Sequence, residues 1–291
     1  MIFLKKILSA AVFCTALSLI LCGCSMKKGT DKKSGKVEAT SQPFTEREVE
    51  ETDGVFVFDD AGILDTAALK ACNDYAGWLY KEKLMNTAVI TVDDLGGKAP
   101  YDYAAEKFNE LYEGKGSGLV VLINNDTNAD AVFRSGACLY SVEQKEQDDA
   151  LYWATKEIFR GDYRAGIMRL LQLGELCPMH IIDNSQAFEW EQITKIEKAL
   201  SACKNDVTII VSHNNSDISN EDILKQYYSR KYKDNSGMMF MLDTTSGKII
   251  AQSSDKLSAD LEKVLKNAND LSAKGDYMNA LTKITDHLNK E

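Results

Sequence analysis

The feature that most constrains the fold of this chain is an internal repeat, marked by Gly-Asp-Tyr at residues 161–163 and again at 275–277. A segment with helical spacing of apolar residues precedes each tripeptide, at roughly 143–159 and 257–273, and another helical segment follows it. The glycine suits the position after a helix, where positive φ is inexpensive, and the aspartate suits the N-cap of the next helix. The sequence therefore predicts two units of one topology.

The first tripeptide also completes Arg160-Gly161-Asp162, a sequence that raises an adhesion interpretation for an exported protein. The second copy has Lys274 in place of Arg160, while the glycine and the aspartate are shared. Because the shared residues have a structural use at helix ends, we interpret this stretch as a turn that joins two helices.

Upstream of the tripeptides, three more segments of the two copies align. Strands that alternate with helices predict a mainly parallel sheet covered by helices, and a polar turn before the last strand predicts an antiparallel edge strand. The predicted fold class is therefore α/β, with two tandem αβα-sandwich domains. The aligned segments are 55–64 with 179–188, which places Asp59 on Asp183, 86–94 with 205–213, which places Asp94 on His213, and 116–124 with 235–243.

The N-terminus has the pattern of an exported lipoprotein. Lys5 and Lys6 precede an apolar run at 7–21, which is shorter than the roughly 20 residues of a bilayer span. Leu21-Cys22-Gly23-Cys24 resembles the bacterial lipobox, in which the last cysteine receives a fatty-acylated glyceryl thioether and begins the mature protein. We expect a signal peptide at 1–23 and lipidation of Cys24; the alternatives are an ordinary signal peptide and an uncleaved anchor.

Residues 24–52 are expected to form the lipidated cysteine and a polar tether, followed by domains at 53–177 and 178–291. Five lysines of the tether would favour an anionic membrane surface, so the protein is expected on the extracytoplasmic face of the cell membrane. A formal net charge of −10 argues against a nucleic-acid partner. An extracytoplasmic location permits disulfides. The sequence does not pair the remaining cysteines, which are Cys72, Cys138, Cys177 and Cys203.

Several stretches between about residues 52 and 176 carry a family pattern: "VFDDAGILD", "TAVITVDDLGG", "YAAEKFNELY", "GSGLVVLI", "FRSG" and "FRGDYRAGI". In this order they resemble the TPM domain, found in plant thylakoid lumen proteins linked to photosystem II repair, a nematode modulator of acetylcholine receptors and bacterial envelope proteins. The second copy, with Ser185 and Gln186 in place of Ala61 and Gly62, resembles a divergent TPM domain. The resemblance implies an extracytoplasmic αβα sandwich, divalent-cation binding in some members and acid phosphatase activity in the plant branch.

Oxygen-bearing side chains follow each of the first three predicted strands of the first copy. In a parallel sheet these strand ends meet at one edge, where α/β proteins usually place their ligands. Carboxylate and amide oxygens suit Ca²⁺ or Mg²⁺, whereas the alternative interpretation is ordinary turn chemistry. Asp65 is the better N-cap for the first helix, so Asp59 is not needed there. The candidate metal ligands are Asp59, Asp60, Asp93, Asp94 and Asp126, together with the amides of Asn124 and Asn125.

Two functions follow from these residues. The first is a lipid-anchored binding or accessory module for an unknown envelope protein, with a divalent-cation site in the first domain. The second is a metal-assisted hydrolase resembling an acid phosphatase, in which Asp59 and Asp93 hold the cation and Arg134 steadies a phosphate or pairs with the carboxylates. The absence of a nucleophile elbow, of a zinc motif and of a recognisable nucleophile–base pair favours the binding module.

Overall fold

Two four-stranded sheets follow one another along the chain. The computed structural model describes residues 47–127, 129–233 and 236–290. The first half contains β1 (Val57–Asp59), α1 (Thr66–Glu82), β2 (Asn86–Val92), α2 (Pro100–Tyr112), β3 (Gly118–Asn124), β4 (Ala131–Ser135), α3 (Cys138–Ser141), α4 (Gln144–Ile158), α5 (Tyr163–Leu171) and a 3₁₀ helix (Gln172–Leu176). The second half contains β5 (Ile181–Asp183), α6 (Trp190–Leu200), β6 (Val207–Ser212), α7 (Asn220–Tyr232), β7 (Met238–Asp243), β8 (Lys248–Ser253), α8 (Ala259–Ser272) and α9 (Tyr277–Leu288).

The two sheets have the same strand order and the same directions. The first sheet runs β1-β2-β3-β4 and the second runs β5-β6-β7-β8. In each sheet the first three strands are parallel and the fourth pairs antiparallel with the third. The predicted parallel sheets with an antiparallel edge strand are therefore confirmed. The first half adds two short elements absent from the prediction, α3 and the 3₁₀ helix.

Helices cover both faces of each sheet because alternate residues of a buried strand point to opposite sides. In β2, Val89 packs in the core shared with α1, α4 and α5, whereas Ile90 packs in the core shared with α2. In β6, Ile209 packs with α6, α8 and α9, whereas Ile210 packs with α7. These layers confirm the predicted pair of αβα sandwiches.

The turns at the repeated Gly-Asp-Tyr have the predicted geometry. Gly161 and Gly275 have φ of 83° and 80°, in the left-handed region that favours glycine. The carboxylates of Asp162 and Asp276 accept hydrogen bonds from backbone N–H groups in the first turns of α5 and α9. The helix-joining interpretation of Arg160-Gly161-Asp162 is thus confirmed by the local structure.

The strand register corrects one part of the sequence alignment. Val57 pairs with Val89, and the equivalent Ile181 pairs with Ile209, so Val89 corresponds to Ile209. His213, four residues beyond Ile209, therefore corresponds to Asp93 and not to Asp94. The sequence alignment of apolar residues placed β6 one residue away from its true register. Buried parallel strands are apolar on both faces, so their pattern does not distinguish neighbouring registers.

The two halves share a buried junction. Leu84, which follows α1, packs into the core of the second half beside Ile182 and Ile210. The buried ammonium of Lys83 donates to the carbonyl oxygens of Glu175 and Cys177, and Lys231 Nζ donates to Met179 O at 2.9 Å. Burial lowers the pKa of both lysines. Backbone carbonyls on either side of Pro178 thus bind two cations that most proteins would leave in water.

Several predictions lie outside the described residues. The signal peptide at 1–23, the lipidated Cys24 and the tether as far as residue 46 are among them. The end of the tether, from Arg47, contacts the first half: its guanidinium lies 3.3 Å from the Glu175 carboxylate and 4.7 Å from the centre of the Trp78 ring. Within the described ranges, no helix combines the length and apolar character needed to cross a bilayer.

Candidate functional site

The candidate cation ligands of the first half follow the carboxyl ends of β1, β2 and β3. The register places Asp59 beside Thr91 and Thr91 beside Ile123, so the three strands end at one edge of the sheet. We call this the first acidic edge, defined by the five predicted aspartates. Asp60, Asp93, Asp94 and Asp126 are exposed there, and Asp59 is half-buried.

Asp59 organises the turn that leaves β1. Its Oδ1 accepts from Ile63 N at 3.1 Å and from Thr91 Oγ1 at 2.5 Å, and its Oδ2 accepts from Leu64 N at 3.0 Å. A carboxylate has about four acceptor positions, so protein groups take three of them. The N-cap of α1 is Asp65, as predicted. Asp59 therefore has a structural role that the sequence did not reveal, and it keeps one position for a ligand.

A short polar chain links the ends of β2 and β3. Asn125 Nδ2 donates to Asp93 Oδ1 at 2.9 Å, and Tyr163 Oη donates to Asn125 Oδ1 at 3.0 Å. Tyr163 belongs to the repeated tripeptide, so the helix-joining turn also braces this edge. Asp94 is oriented by accepting from Gly96 N at 2.8 Å. Asp126 takes no part in this chain through its side chain, but its N–H donates to Asn124 Oδ1.

Asp130 is an acidic residue at this edge that sequence reasoning missed. Its Oδ1 accepts from Asn124 N at 3.2 Å, while its Oδ2 is buried and has no hydrogen-bond partner among the residues that the structure describes. Burial raises the pKa of this carboxyl to about 6, although the hydrogen bond from Asn124 opposes the shift. The only signal in the sequence was its place in the polar β3–β4 turn, where aspartate is common for structural reasons.

Arg134 lies away from the carboxylates. It pairs with Leu119 near the start of β3, whereas the acidic edge begins after Asn124 at the end of that strand. Its guanidinium donates to Val142 O and to Gln144 Oε1. The prediction that Arg134 pairs with the Asp cluster or steadies an anion held there is therefore wrong. An antiparallel partner reverses direction, so residues late in β4 return to the amino end of β3.

The corresponding edge of the second half, which we call the second edge, is largely uncharged. Its residues at the positions of Asp60, Asp93, Asp94 and Asp126 are Asn184, His213, Asn214 and Thr245. Of the five predicted aspartates, only Asp59 has a carboxylate at its equivalent position, which is Asp183. Asp183 is 0 % exposed, and it accepts from Ser185 N, Ser185 Oγ and Phe188 N at 2.9–3.1 Å. Burial is the main influence on its pKa, and the net shift is upward.

Asp243 supplies the other carboxylate of the second edge, at the position of Asn124. It is 4 % exposed and accepts from Ser246 Oγ at 2.6 Å and from Asn220 Nδ2 at 3.0 Å. Burial alone would raise its pKa, but the hydrogen bonds from Ser246, Asn220 and nearby backbone lower the pKa to about 2. The exposed His213 contacts the hydroxyls of Thr244 and Thr245 at 3.2 Å. The Asp243 carboxylate is therefore held by hydrogen bonds from neighbouring residues of the protein.

A cleft of 730 Å³ opens between the second edge and the first half, a placement that sequence reasoning did not anticipate. Asn184, His213 and Tyr227 line it from the second half, and Asn86 and Gly116 line it from the first. Asn184 also accepts from Ser117 Oγ at 2.7 Å across the junction. The second edge therefore faces protein, whereas the predicted ligand edge of the first half carries exposed carboxylates.

The chemistry available at the first acidic edge is oxygen coordination of a hard cation. Its donors are carboxylates, amide oxygens and backbone, which Ca²⁺ and Mg²⁺ prefer. In the part of the chain that the structure describes, no group of three or more His, Cys, Asp or Glu side chains is arranged to hold a metal ion. Binding would thus require Asp59 or Asp93 to exchange a protein hydrogen bond, or amides and water to complete the shell.

Comparisons with known proteins found one matching family and several similar solved structures. Residues 57–172 match the family described as the TPM domain. Two similar solved structures are the solution NMR structures of N-terminal domains from a P. gingivalis protein and from the cg2496 protein of Corynebacterium glutamicum. The first is 17% identical with a TM-score of 0.37, covering 41% of this chain and 80% of that chain. The second is 15% identical with a TM-score of 0.34, covering 46% and 90%.

No curated protein matches the chain. The family match begins at the first residue of β1 and ends just beyond α5, so it takes in the whole first sheet and the helices on both of its faces. The second sheet repeats the same strand order and directions. Residues 57–172 of this chain are therefore similar to the TPM domain, and the second half repeats their topology.

Proposed function

We propose that this protein is an extracytoplasmic lipoprotein, anchored through Cys24, that serves as a binding module of the cell envelope and holds a divalent cation at its first acidic edge. The anchor rests on the lipobox pattern at residues 21–24 and on the lysines that follow it. The TPM domain and its exposed carboxylates support the binding role. The partner belongs to this proposal only as an envelope protein of unknown identity.

The observation that carries the cation site is the unpartnered oxygen of Asp130. A buried carboxylate oxygen without a donor is costly, and a cation close to it would remove that cost. Asp130 reaches the first acidic edge through Asn124, whose amide oxygen accepts from Asp126 N and Thr127 N. The residues present therefore fit a hard cation better than the second edge does, where each carboxylate already has several donors.

The hydrolase alternative has less support. It required an anion-holding group beside the carboxylates, and Arg134 was the residue assigned to it. Arg134 is instead committed to Val142 and Gln144 near the amino end of β3. No described cation within the first acidic edge takes its place in a hydrogen bond to Asp59 or Asp93. The geometry therefore favours binding over phosphoryl transfer.

Calorimetric titration of the detergent-extracted full chain with CaCl₂ and with MgCl₂ tests the cation site. Asp93→Asn should weaken binding by about tenfold, because it removes an exposed carboxylate ligand. Asp217→Asn, the same change at an exposed position beside the second edge, is the matched control and should leave affinity within about twofold. Absence of binding, or equal effects of both variants, would contradict the site.

Metabolic labelling with palmitate tests the anchor. Cys24→Ala should lose the label and release the protein from the membrane fraction, because the thioether has no sulfur to form on. Cys22→Ala leaves Leu-Ala-Gly-Cys before the cleavage point and is the matched control, which should keep the label. Equal labelling of the two variants would contradict lipidation at Cys24.

A further inference from the structure

Two buried cysteines of the first half lie in contact. Cys138 Sγ is 3.2 Å from Cys177 Sγ, although the residues are 39 positions apart in the chain. Cys138 begins α3 directly after β4, and Cys177 follows the 3₁₀ helix at the junction with the second half. Their side chains are 0 % and 3 % exposed. Cys203 is not part of this pair, since it lies beyond the end of α6 and its sulfur is 3.6 Å from Ala199 O.

We propose that Cys138 and Cys177 form a disulfide in the mature protein. A disulfide bond is about 2.05 Å long, so the sulfurs need to approach by about 1.2 Å, which small rotations of two side chains provide. The proposal rests on the proposed extracytoplasmic location, because disulfides persist in oxidising compartments and are rare in the cytosol. The pairing itself, however, rests only on the contact between the two sulfurs.

The reaction transfers two electrons from the thiol pair to an oxidant of the disulfide class. One cysteine thiolate attacks a sulfur of the oxidant, its S–S bond breaks, and one thiol leaves with a mixed disulfide remaining on the protein. The second cysteine then attacks that mixed disulfide, the Cys138–Cys177 bond forms, and the second thiol leaves. Two protons pass from the cysteines to the departing thiolates, so the protein is oxidised and the oxidant is reduced.

Burial determines when this reaction takes place. The hydrogen bond with Cys177 and the surrounding apolar core raise the pKa of Cys138, and the thiol rather than the thiolate is present in the folded chain. Because the thiolate is the nucleophile and the pair has almost no exposed surface, the oxidant must reach it before the core closes. After folding, the same burial protects the bond from reductants.

The bond would close a loop that contains α3, α4, α5 and the 3₁₀ helix. It would also secure the residue from which the second half departs, since the Cys177 carbonyl already accepts from the buried Lys83. The second half has no equivalent clamp at the position of Cys138, which the β4 and β8 registers assign to Leu257. The disulfide therefore strengthens the first half and the junction.

Thiol trapping tests the pairing in cells. The full chain is denatured in the presence of N-ethylmaleimide, which labels free thiols, and without reductant. It is then digested and mapped by mass spectrometry. Cys72 and Cys203 should carry the label, and Cys138 and Cys177 should appear as one cross-linked peptide pair, lighter than the two thiol peptides by two hydrogen atoms. Label on all four cysteines would overturn the proposal for the mature protein.

Refolding separates the pairing from the location. Purified reduced chain is refolded in oxidised and reduced glutathione, and the same cross-linked pair should dominate. A different pair, or none, overturns the pairing itself. If the pair forms in glutathione but not in cells, the proposed disulfide of the mature protein fails because of its compartment, and the extracytoplasmic location fails with it.

Thermal unfolding gives an independent readout. Because the folded bond is protected, the wild-type chain is unfolded and then refolded with or without reductant. The chain refolded in reductant should have a Tm about 10 °C lower, because a closed loop of this length restricts the unfolded chain. Cys203→Ser, at a half-buried cysteine outside the pair, should keep this sensitivity. Cys138→Ala and Cys177→Ala should each lose it. A wild-type Tm that is the same with and without reductant would overturn the proposal, and this comparison needs no variant to fold.

Discussion

The two carboxyl edges of this protein share one backbone and differ in charge and exposure. In the first half, the edge carries four exposed aspartates and a half-buried one. In the second half, side chains without a carboxylate occupy the equivalents of those four positions, and the carboxylates of Asp183 and Asp243 are buried and accept several hydrogen bonds. The same strand order thus produced an edge that suits a cation and an edge that stabilises itself.

The comparison shows that an aspartate can keep its role in a turn while its burial differs between the two copies. Asp59 and Asp183 both accept from the backbone of the turn that leaves the first strand of their sheet. Both turns have a residue with left-handed backbone at the same position: Gly62 with φ of 63° and Gln186 with φ of 54°. Shared aspartates therefore indicate a shared turn, whereas the exposed acids present only in the first half are the residues on which the proposed cation site rests.

Replacement of the two turn aspartates should have the largest effect on this comparison. Asp183→Ala should lower the free energy of unfolding by about 4 kcal/mol, because it leaves several buried donors without an acceptor. Asp59→Ala should cost about 2 kcal/mol, since its turn is more exposed to water. Urea unfolding measures both. The exposed Asp60→Ala is the control, and an equal cost at both turns would show that burial does not separate the two edges.

The next largest difference is expected between substitutions near the ends of α7 and α2, the helices that precede the third strand of each sheet. Arg230 of α7 donates to Tyr80 O at 2.6 Å and Asn86 Oδ1 at 3.0 Å and stacks on the Tyr80 ring, so Arg230→Ala should cost about 3 kcal/mol. Glu110 holds the equivalent place, third from the end of α2, and forms an exposed pair with Lys107 on its own helix. Glu110→Ala should therefore change stability by less than about 0.5 kcal/mol in urea unfolding. Similar losses would mean that the junction contributes little.

The pH dependence of stability should sharpen the contrast at the β3–β4 turn. Asp130 has a folded pKa raised to about 6, so the stability it contributes is complete below its ordinary value near 3.8 and is lost as pH rises through 6. Asp130→Asn should therefore stabilise the metal-free protein by about 2 kcal/mol at neutral pH, after allowance for partial exposure, and have little effect below 3.8.

Urea unfolding between about pH 3.5 and pH 7.5 measures this difference, across the interval in which the folded and unfolded carboxyls bind different numbers of protons. Asp126→Asn, at an exposed position of the same edge, is the control for the lost charge. A gain in stability that does not depend on pH would show that burial of the Asp130 charge is not its origin.

The smallest expected effect tests the left-handed turn residue. An added Cβ at Gly62 meets no atom within 4 Å, so Gly62→Ala should cost about 1 kcal/mol through φ alone. The exposed Gln186 has the opposite expectation: Gln186→Gly should stabilise by about 0.5 kcal/mol, because glycine adopts this φ without strain. Thermal unfolding of both variants measures the pair, and the same sign for both would refute the equivalence of the turns.

Particular residues show how far sequence reasoning reached. Gly161, Asp162 and Asp65 were assigned their structural roles correctly, because cap and turn preferences depend on local backbone geometry. The candidate ligands were placed at one edge because parallel strands end together. Arg134 was misplaced, and Asp130 was missed, because the antiparallel return of β4 and the burial of one carboxylate oxygen depend on packing that local sequence does not describe.

The sequence by itself determined the repeat, the α/β class and the positions of the turns, since periodicity and cap residues act over a few neighbouring residues. The tertiary structure alone decided that the second edge faces the first half and that Lys83 and Lys231 bind the junction. It also decided that Cys138 meets Cys177. These contacts join residues far apart in the chain, so they exist only after folding has brought the two halves together.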